Sequence, residues 1–534
     1  MTGACIIGLD YGTESARGVL LEVDTGLQIA SHTYPYRHGV MMRTTPGGKA
    51  LPRGWALQNA PDYAEAAEAI LSALGRGRDI AAIGLGFTAS SPMPAKRDGT
   101  PLSVLHPDAP HAYVKLWKHG SAQPYADEIN AKGGAFLDNF GGKLSGEWLV
   151  AKAAQMQAEA PDLWAETNRF IEAGDWLVWQ LTGRETRSLA FAAFKAQYSD
   201  RYPEGLVPGL EERLRDPVKV GSSAGGLSKE WRKRTGITGR AIVAVAVIDS
   251  HVVLPAINVV SGGSFVGALG TSAAYMFLSD DFRPLPKGIE GVAWNGSVRD
   301  LWCYEAGQAC FGDILAWFVR TFPKGDTSAN SFAAYDAAVD GMQPGDSHLL
   351  AVDWWNGNRV PLADSNLSGM LFGMTLETTA VGIYRALMEA LCFGAKSVLD
   401  LFEADGFAIN RVVMTSGLAT KNPVLIQMMA DVMQRVIEVP QIDNATAVGA
   451  AIHGAVAGEI VPDYPEGARK FGAKAVTIFD PDPSRASAYG ALYDQYQVLC
   501  RQAPIRQSLR ELNSIPSPTK AGRPDGQEIK ESVA

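Results

Sequence analysis

Short apolar runs broken by turn residues recur along the chain, and the elements they predict alternate strand with helix. Ala4 to Leu9 reads as a strand, Asp10-Tyr11-Gly12-Thr13-Glu14-Ser15-Ala16-Arg17 as a tight turn, and Val19 to Val23 as a second strand. Asp62 to Ala73 is Ala- and Glu-rich and predicts a helix, and Ile80 to Phe87 predicts a strand ending at Thr88-Ala89-Ser90-Ser91. The most hydrophobic stretch, Ile242 to Val260, is interrupted by Asp249, His251, Pro255 and Asn258, so it reads as buried strand, functional turn and helix rather than a membrane span. Thr379 is placed to cap a helix whose apolar positions Ile383, Leu387, Leu391 and Val398 run on until Gly406. Arg411 to Thr415 then predicts a strand, residues 416–421 a loop, and Asn422 the cap of a helix with Pro423 at its first position.

One segment occurs twice. Ile7 to Thr13 lies over Phe265 to Thr271, apolar residues leading each time into Gly-Thr, at an offset near half the chain length. A repeat on that scale predicts two similar domains rather than a solenoid. The expected division is 1–257 and 258–505, with 506–534 as a disordered tail, since the end of the chain is rich in Pro, Ser, Lys and Glu and has no aromatic residue beyond Tyr496. The copies differ where chemistry is concerned: Asp10 has Ala268 as its counterpart, so only the first turn offers a carboxylate.

Composition narrows the partners. The 534 residues are 46% hydrophobic and 20% charged, as in a globular protein able to bury large cores. A net charge of -9 argues against nucleic acid or an anionic membrane as partner. Five scattered cysteines without a CxxC pair indicate neither a disulfide framework nor a zinc ribbon, and fit a reducing cytoplasm. The N-terminus lacks the basic region of a signal peptide. A homodimer is compatible with the sequence, which does not itself fix an oligomeric state.

Several residues carry candidate chemistry. The turn at Asp10 to Arg17 supplies Gly12 for close approach, the Thr13 and Ser15 hydroxyls, backbone N–H groups and a carboxylate. That set suits a phosphate tail with its cation, and it equally describes an ordinary hairpin turn; the Walker A spacing is absent. Gly270-Thr271-Ser272 would complete a pair of phosphate loops clamping a nucleotide. Asp249, at the end of a buried strand, reads either as a general base facing a cleft or as a helix cap. Lys195 and Glu305 are charges in small or apolar surroundings, each a polar anchor for a sugar hydroxyl or half of a structural ion pair. Trp354-Trp355-Asn356-Gly357-Asn358-Arg359 offers a stacking platform or an interdomain corner. There is no HExxH, GxSxG or strand-borne GxGxxG, which removes the common metalloprotease, hydrolase and dinucleotide readings.

Together Gly8–Arg17, Trp55-Ala56-Leu57-Gln58, Phe87-Thr88-Ala89, Gly141–Trp148, Ala173–Gly183, Tyr304–Gln308 and Asp353–Arg359 resemble the FGGY carbohydrate kinases, and among them the ribulokinase branch. The resemblance implies an α/β fold of two actin-like ATPase (ribonuclease H-like) domains, each a mixed five-stranded sheet flanked by helices, with ATP and sugar in the cleft between them. It implies a kinase acting on the terminal hydroxyl of a ketopentose, L-ribulose first, with ribitol, D-ribulose or xylulose as the alternative. By the same resemblance Asp10, Gly12, Thr13, Ser15 and Arg17 form the first phosphate loop and Gly270 with Thr271 the second. Gly417, Leu418, Ala419 and Asn422 would hold adenosine. Asp249 would be the catalytic base and Arg17 would stabilise the transferring group. Asp10 and Asp249 would hold Mg²⁺, and Ala89, Lys195, Asp249 and Glu305 would hold the sugar. A non-catalytic nucleotide switch of the same fold would leave Asp249, Lys195 and Glu305 without a reason to converge. Two departures stand out. Ser416 occupies the place of a family glycine, and Trp117-Lys118-His119-Gly120 replaces the Trp-Lys-Asp-His usual in ribulokinases.

Overall fold

The computed structural model describes residues 3–286 and 288–515. Two seven-stranded sheets organise it. In the first, Cys5–Tyr11 lies between the antiparallel Ser15–Glu22 and the parallel Ile80–Phe87. Gln28–Pro35 extends one side, while Ile242–Ala244 and Val247–Ile248 pair along Ile80–Phe87 on the other, with Ser223–Gly226 at the edge. The second sheet repeats that order: Ser264–Leu269 lies between the antiparallel Ala273–Ser279 and the parallel Arg411–Thr415, with Trp302–Gln308 and Ile437–Gln441 next outward. The internal repeat is therefore the first strand of each sheet. Each sheet exceeds the five strands expected because edge strands are added: Ser223–Gly226 in the first, Gly291–Trp294 and Ala475–Phe479 in the second. A break also splits one strand of the first sheet in two, at Ala244 and Val247.

The central strands are buried almost without interruption, as parallel strands covered on both faces must be. The cover on the first sheet comes from far along the chain. Helix Ala445–Ala457 packs on Cys5–Tyr11 and Ile80–Phe87, and it does so backbone to backbone. A Cβ on Gly8 would lie 1.8 Å from the carbonyl oxygen of Ala447, and one on Gly84 would lie 1.7 Å from that of Ala450. No side chain fits there, so the two glycines set how closely helix and sheet approach.

The helix caps follow the sequence. Thr379 accepts a hydrogen bond from the Gly382 N–H at 3.1 Å to open Ala380–Ala404, and the Asn422 side chain accepts one from the Leu425 N–H at 2.9 Å to open Pro423–Met433. Two expectations need correction. Residues 417–421, expected as loop, form the short helix Gly417–Lys421. The expected tail is ordered in its first part: Ala503–Ser514 is a helix, anchored by buried Leu509 and by an Arg510 to Asp364 contact of 2.6 Å. An apolar residue facing the core and one ion pair suffice to hold that turn of chain, and 516–534 lie outside the described residues. Among the described residues no helix is long and apolar enough to cross a membrane, and all five cysteines are unpaired thiols.

Replacing Gly84 by Ala should lower the apparent melting temperature by roughly 5 °C or more, since overpacking costs about 1–3 kcal/mol and the obstacle here is backbone. Gly120→Ala, where nothing lies within 4 Å of the added carbon, is the control and should leave it nearly unchanged. Differential scanning calorimetry of the two variants decides whether this contact governs stability.

Candidate active site

A cleft of about 400 Å³ opens between the ends of the two sheets. Both Gly-Thr hairpins border it, Gly12 and Thr13 from the first sheet and Gly270, Thr271 and Ser272 from the second. Each turn is closed by one backbone hydrogen bond, from the Gly12 N–H to the Ser15 carbonyl at 3.1 Å and from the Gly270 N–H to the Ser272 carbonyl at 3.0 Å. The first turn is braced from outside. Trp117 Nε1 donates to Thr13 Oγ1 at 3.1 Å, Gln58 Nε2 to the Thr13 carbonyl at 2.6 Å and the Tyr36 hydroxyl to the Gly12 carbonyl at 3.0 Å. The second is pinned by the start of helix Gly312–Thr321, whose Gly312 N–H donates to the Gly270 carbonyl at 3.0 Å.

Asp10 and Asp249 line the cleft between these turns. Asp10 sits on Cys5–Tyr11 directly across from Arg17 and Gly86, and Asp249 follows the end of Val247–Ile248. Loss of water, and then the charge of Asp249, push the Asp10 carboxyl up to about 7 despite the pull of Arg17. Burial also raises Asp249, although the Ser250 N–H, which donates to its Oδ1 at 2.8 Å, and the nearby His251 and Lys195 oppose the shift. A carboxyl whose pKa is raised toward neutrality is a better proton acceptor. Two mutually destabilising carboxylates are also a fitting donor set for a hard divalent cation. Among the described residues no group of three or more such side chains is placed to hold a metal ion.

The cleft floor is charged and shared. Lys195, the last residue of helix Leu189–Lys195, reaches both oxygens of Glu305 at 2.8 Å, and Glu305 stands on Trp302–Gln308 of the second sheet. The two residues whose ion-pair partners the sequence left open are thus partners of each other, on the cleft wall. Burial alone would raise the pKa of Glu305; Lys195 and His251 overcome it and hold the carboxyl well below the usual range. Beside them Arg359 reaches across to Glu147 at 3.1 Å. The adjacent Trp354 is buried in the second core and Trp355 packs on Trp317, so of that cluster only Arg359 lines the cleft.

The wall at Thr88, Ala89 and Ser90 is held under strain. Ser90 is buried with φ of +52°, a left-handed conformation that costs a non-glycine residue energy. The fully buried Lys152 holds it there, its Nζ donating to the carbonyls of Ser90 at 2.7 Å and Leu116 at 2.9 Å, while the Ser91 N–H donates to Glu172 at 2.7 Å. Nothing in the local sequence signals Lys152 or His251 as parts of this site; Glu147 and Arg359 lie in segments that carry the family likeness, with no role of their own assigned there.

Some expected site residues lie elsewhere. Arg17 is exposed rather than lining the cleft: its guanidinium is drawn to Thr33 on the neighbouring strand and to Asn444 at the start of helix Ala445–Ala457, at 3.2 and 3.3 Å. Ser15 begins Ser15–Glu22, and its carbonyl, not its hydroxyl, closes the turn. Gly417, Leu418, Ala419 and Asn422 stand outside the cleft lining, and both ends of the Asn422 amide are engaged, by Leu425 and by Asp336 at 3.1 Å. Ser416 does line it, with φ of +88°, so the serine keeps the backbone a glycine would adopt, and its hydroxyl donates to the Leu269 carbonyl. That hydrogen bond is the compensation for the left-handed residue.

The chain is similar to known proteins in sequence and in fold. Residues 266–458 match the model of the FGGY family of carbohydrate kinases, C-terminal domain. The ribulokinase of Halalkalibacterium halodurans is 39% identical, over 93% of this chain and 95% of its own. That of Mycolicibacterium smegmatis is 36% identical, over 95% and 96%. In fold, a xylulose kinase from Rhodospirillum rubrum superposes with a TM-score of 0.80 at 20% identity, covering 95% of this chain and 99% of its own. A Plasmodium falciparum glycerol kinase with ADP gives 0.77 at 15%, covering 94% and 99%.

The raised Asp10 pKa has a consequence for stability. The unfolded chain ionises Asp near pH 3.9 and the folded protein near pH 7, so folding carries a cost that is absent at low pH, grows as pH rises between these values and is complete above them. Asp10→Asn should therefore melt higher than the wild type at pH 8, with a smaller gain at pH 5. Thermal melts of the ligand-free proteins across that range test it; an equal or inverted difference would refute the electrostatic account.

Proposed function

The chain belongs to the FGGY family of carbohydrate kinases, and from that membership we propose that its cleft transfers the γ-phosphoryl group of ATP to the terminal hydroxyl of a ketopentose. L-ribulose is the proposed acceptor, giving L-ribulose 5-phosphate and ADP. The observation that carries the reading is the convergence of Asp249, Lys195 and Glu305 within one cleft that both Gly-Thr turns border. The ribulokinase name of relatives matched over nearly their whole length supports the sugar. The altered Trp117-Lys118-His119-Gly120 segment does not oppose it: only Trp117 lines the cleft, while His119 is fully buried and bonded to Gln155 at 2.9 Å.

In this reading the sugar lies between Lys195 and Glu305, against Ala89 and Ser90, with its terminal hydroxyl at Asp249. Phosphoryl transfer needs little covalent help from the protein, which positions the reactants and stabilises charge on the transferring group. Asp249 accepts the hydroxyl proton as the oxygen attacks phosphorus and the bond to ADP breaks. N–H groups of the turns at Gly12 and Gly270 bind phosphate oxygens, and the segment of Gly417, Leu418, Ala419 and Asn422, next along the chain from the cleft-lining Ser416, receives adenosine. Mg²⁺, held by Asp10 and Asp249, would neutralise phosphate charge when bound. Arg17 acts through Asp10, whose pKa it lowers, rather than by touching the phosphate. We place the enzyme in the cytoplasm, where thiols such as its five free cysteines stay reduced, with Gly12, Thr13, Ser15, Gly270 and Thr271 as the phosphate-binding set and a division of the chain near residue 257.

Asp249→Asn should still bind ketopentose and ATP and lose at least about 10²-fold in kcat. Lys195→Met and Glu305→Gln should mainly raise KM for the sugar, and Thr271→Val should raise KM for ATP. ADP release measured over the stereoisomeric ribuloses, the xyluloses and ribitol should give L-ribulose the highest kcat/KM. Wild-type turnover in the Asp249 variant would overturn the mechanism, and preference for ribitol would overturn the choice of substrate alone.

A further inference from the structure

We propose that His251 is a positioning residue for the sugar-binding carboxylate of Glu305, itself fixed by Ser297, so that a chain of contacts from one sheet to the other sets the sugar-facing charge pair. The inference rests on the kinase reading of the cleft. His251 is fully buried in the short helix Asp249–Val252, two residues beyond the proposed base. Its Nδ1 lies 2.6 Å from Ser297 Oγ, and Ser297 belongs to the loop joining Gly291–Trp294 to Trp302–Gln308 in the second sheet. Its Nε2 lies 3.8 Å from Glu305 Oε1 and finds no hydrogen-bond partner among the described residues. Phe194, next to Lys195, holds the ring edge-on at 4.7 Å between centroids.

The proton placement follows from the partners. An ionised carboxylate can only accept, so the ring proton belongs on Nε2, and Nδ1 is left to accept from the Ser297 hydroxyl. At 3.8 Å the Nε2 contact is too long to be a hydrogen bond. A buried donor left without a hydrogen-bond partner is costly. A shift of less than about an ångström by Glu305 completes the bond, and a sugar entering between Lys195 and Glu305 is the event in this cleft that supplies such a shift. His251 then holds the carboxylate in place while Lys195 turns to the sugar.

Steady-state kinetics of His251→Gln and Ser297→Ala test this, with L-ribulose or whichever acceptor the wild type uses best. Both variants should raise KM for the sugar, His251→Gln by about 10-fold to 10²-fold, as for loss of one hydrogen bond to a charged group, while KM for ATP stays near the wild-type value and kcat falls less than KM rises. Placed on Glu305→Gln, His251→Gln should add almost nothing to the sugar KM, because its effect passes through that carboxylate. The milder Ser297→Ala keeps the test valid if His251→Gln does not fold. Unchanged sugar KM, or effects that simply add in the double variant, would overturn the role of His251 alone. A wild type that phosphorylates no sugar or polyol would overturn the kinase reading and this inference with it.

Discussion

On the floor of the cleft a lysine ammonium and a glutamate carboxylate meet at 2.8 Å, and each arrives from a different half of the chain. Removing two charges from water costs several kcal/mol apiece, and the cost is met only if both are present with good geometry. Lys195 without Glu305, or the reverse, would be an uncompensated buried charge, so the pair forces the two sheets to face each other at this point. Arg359 with Glu147 and His251 with Ser297 repeat the connection beside it. The cleft is thus a place where polar groups from both sheets must find one another, and a polyol that offers hydroxyls to both can take part in that exchange.

The surrounding wall is built against the ordinary preferences of its residues. Asp10 and Asp249 ionise reluctantly, Glu290 is pushed up to about 7 by burial despite Arg359, and Ser90 and Ser416 hold backbone conformations suited to glycine. Such features persist where the surrounding structure over-determines them. Lys152, with its ammonium spent on backbone carbonyls, is the clearest case of a buried charge whose task is to hold a turn. Stability is given up locally for a site that is already shaped before any ligand arrives.

Much of this was legible in the sequence, for physical reasons that differ by element. Ile80–Phe87 and Arg411–Thr415 were readable to the residue because continuous apolar runs between turn signals leave few alternatives. The hydroxyl cap at Thr379 and the Asn422-Pro423 step announce helix starts through local hydrogen bonding alone. The helix Gly417–Lys421 escaped because five residues span barely more than one turn and show no periodicity. Gly417, Leu418, Ala419, Asn422 and Arg17 were placed at the site by likeness, and none of them is among the residues that line the cleft. His251 and Lys152 could not be read at all, and Glu147 and Arg359, although within segments that carry the likeness, could not be read as a pair, since these contacts join positions far apart in the chain.

The packing of Ala445–Ala457 on the first sheet bears on how the protein is made. Synthesis runs from the N-terminus, and strands Cys5–Tyr11 and Ile80–Phe87 leave the ribosome long before the helix that covers them. Until Ala457 has been added, the face around Gly8 and Gly84 is a bare stretch of apolar sheet with no side chains of its own at the point of closest contact. The first half of the chain therefore emerges unable to complete its own core, and nascent chains pass through a period of exposed hydrophobic surface in which premature association competes with folding.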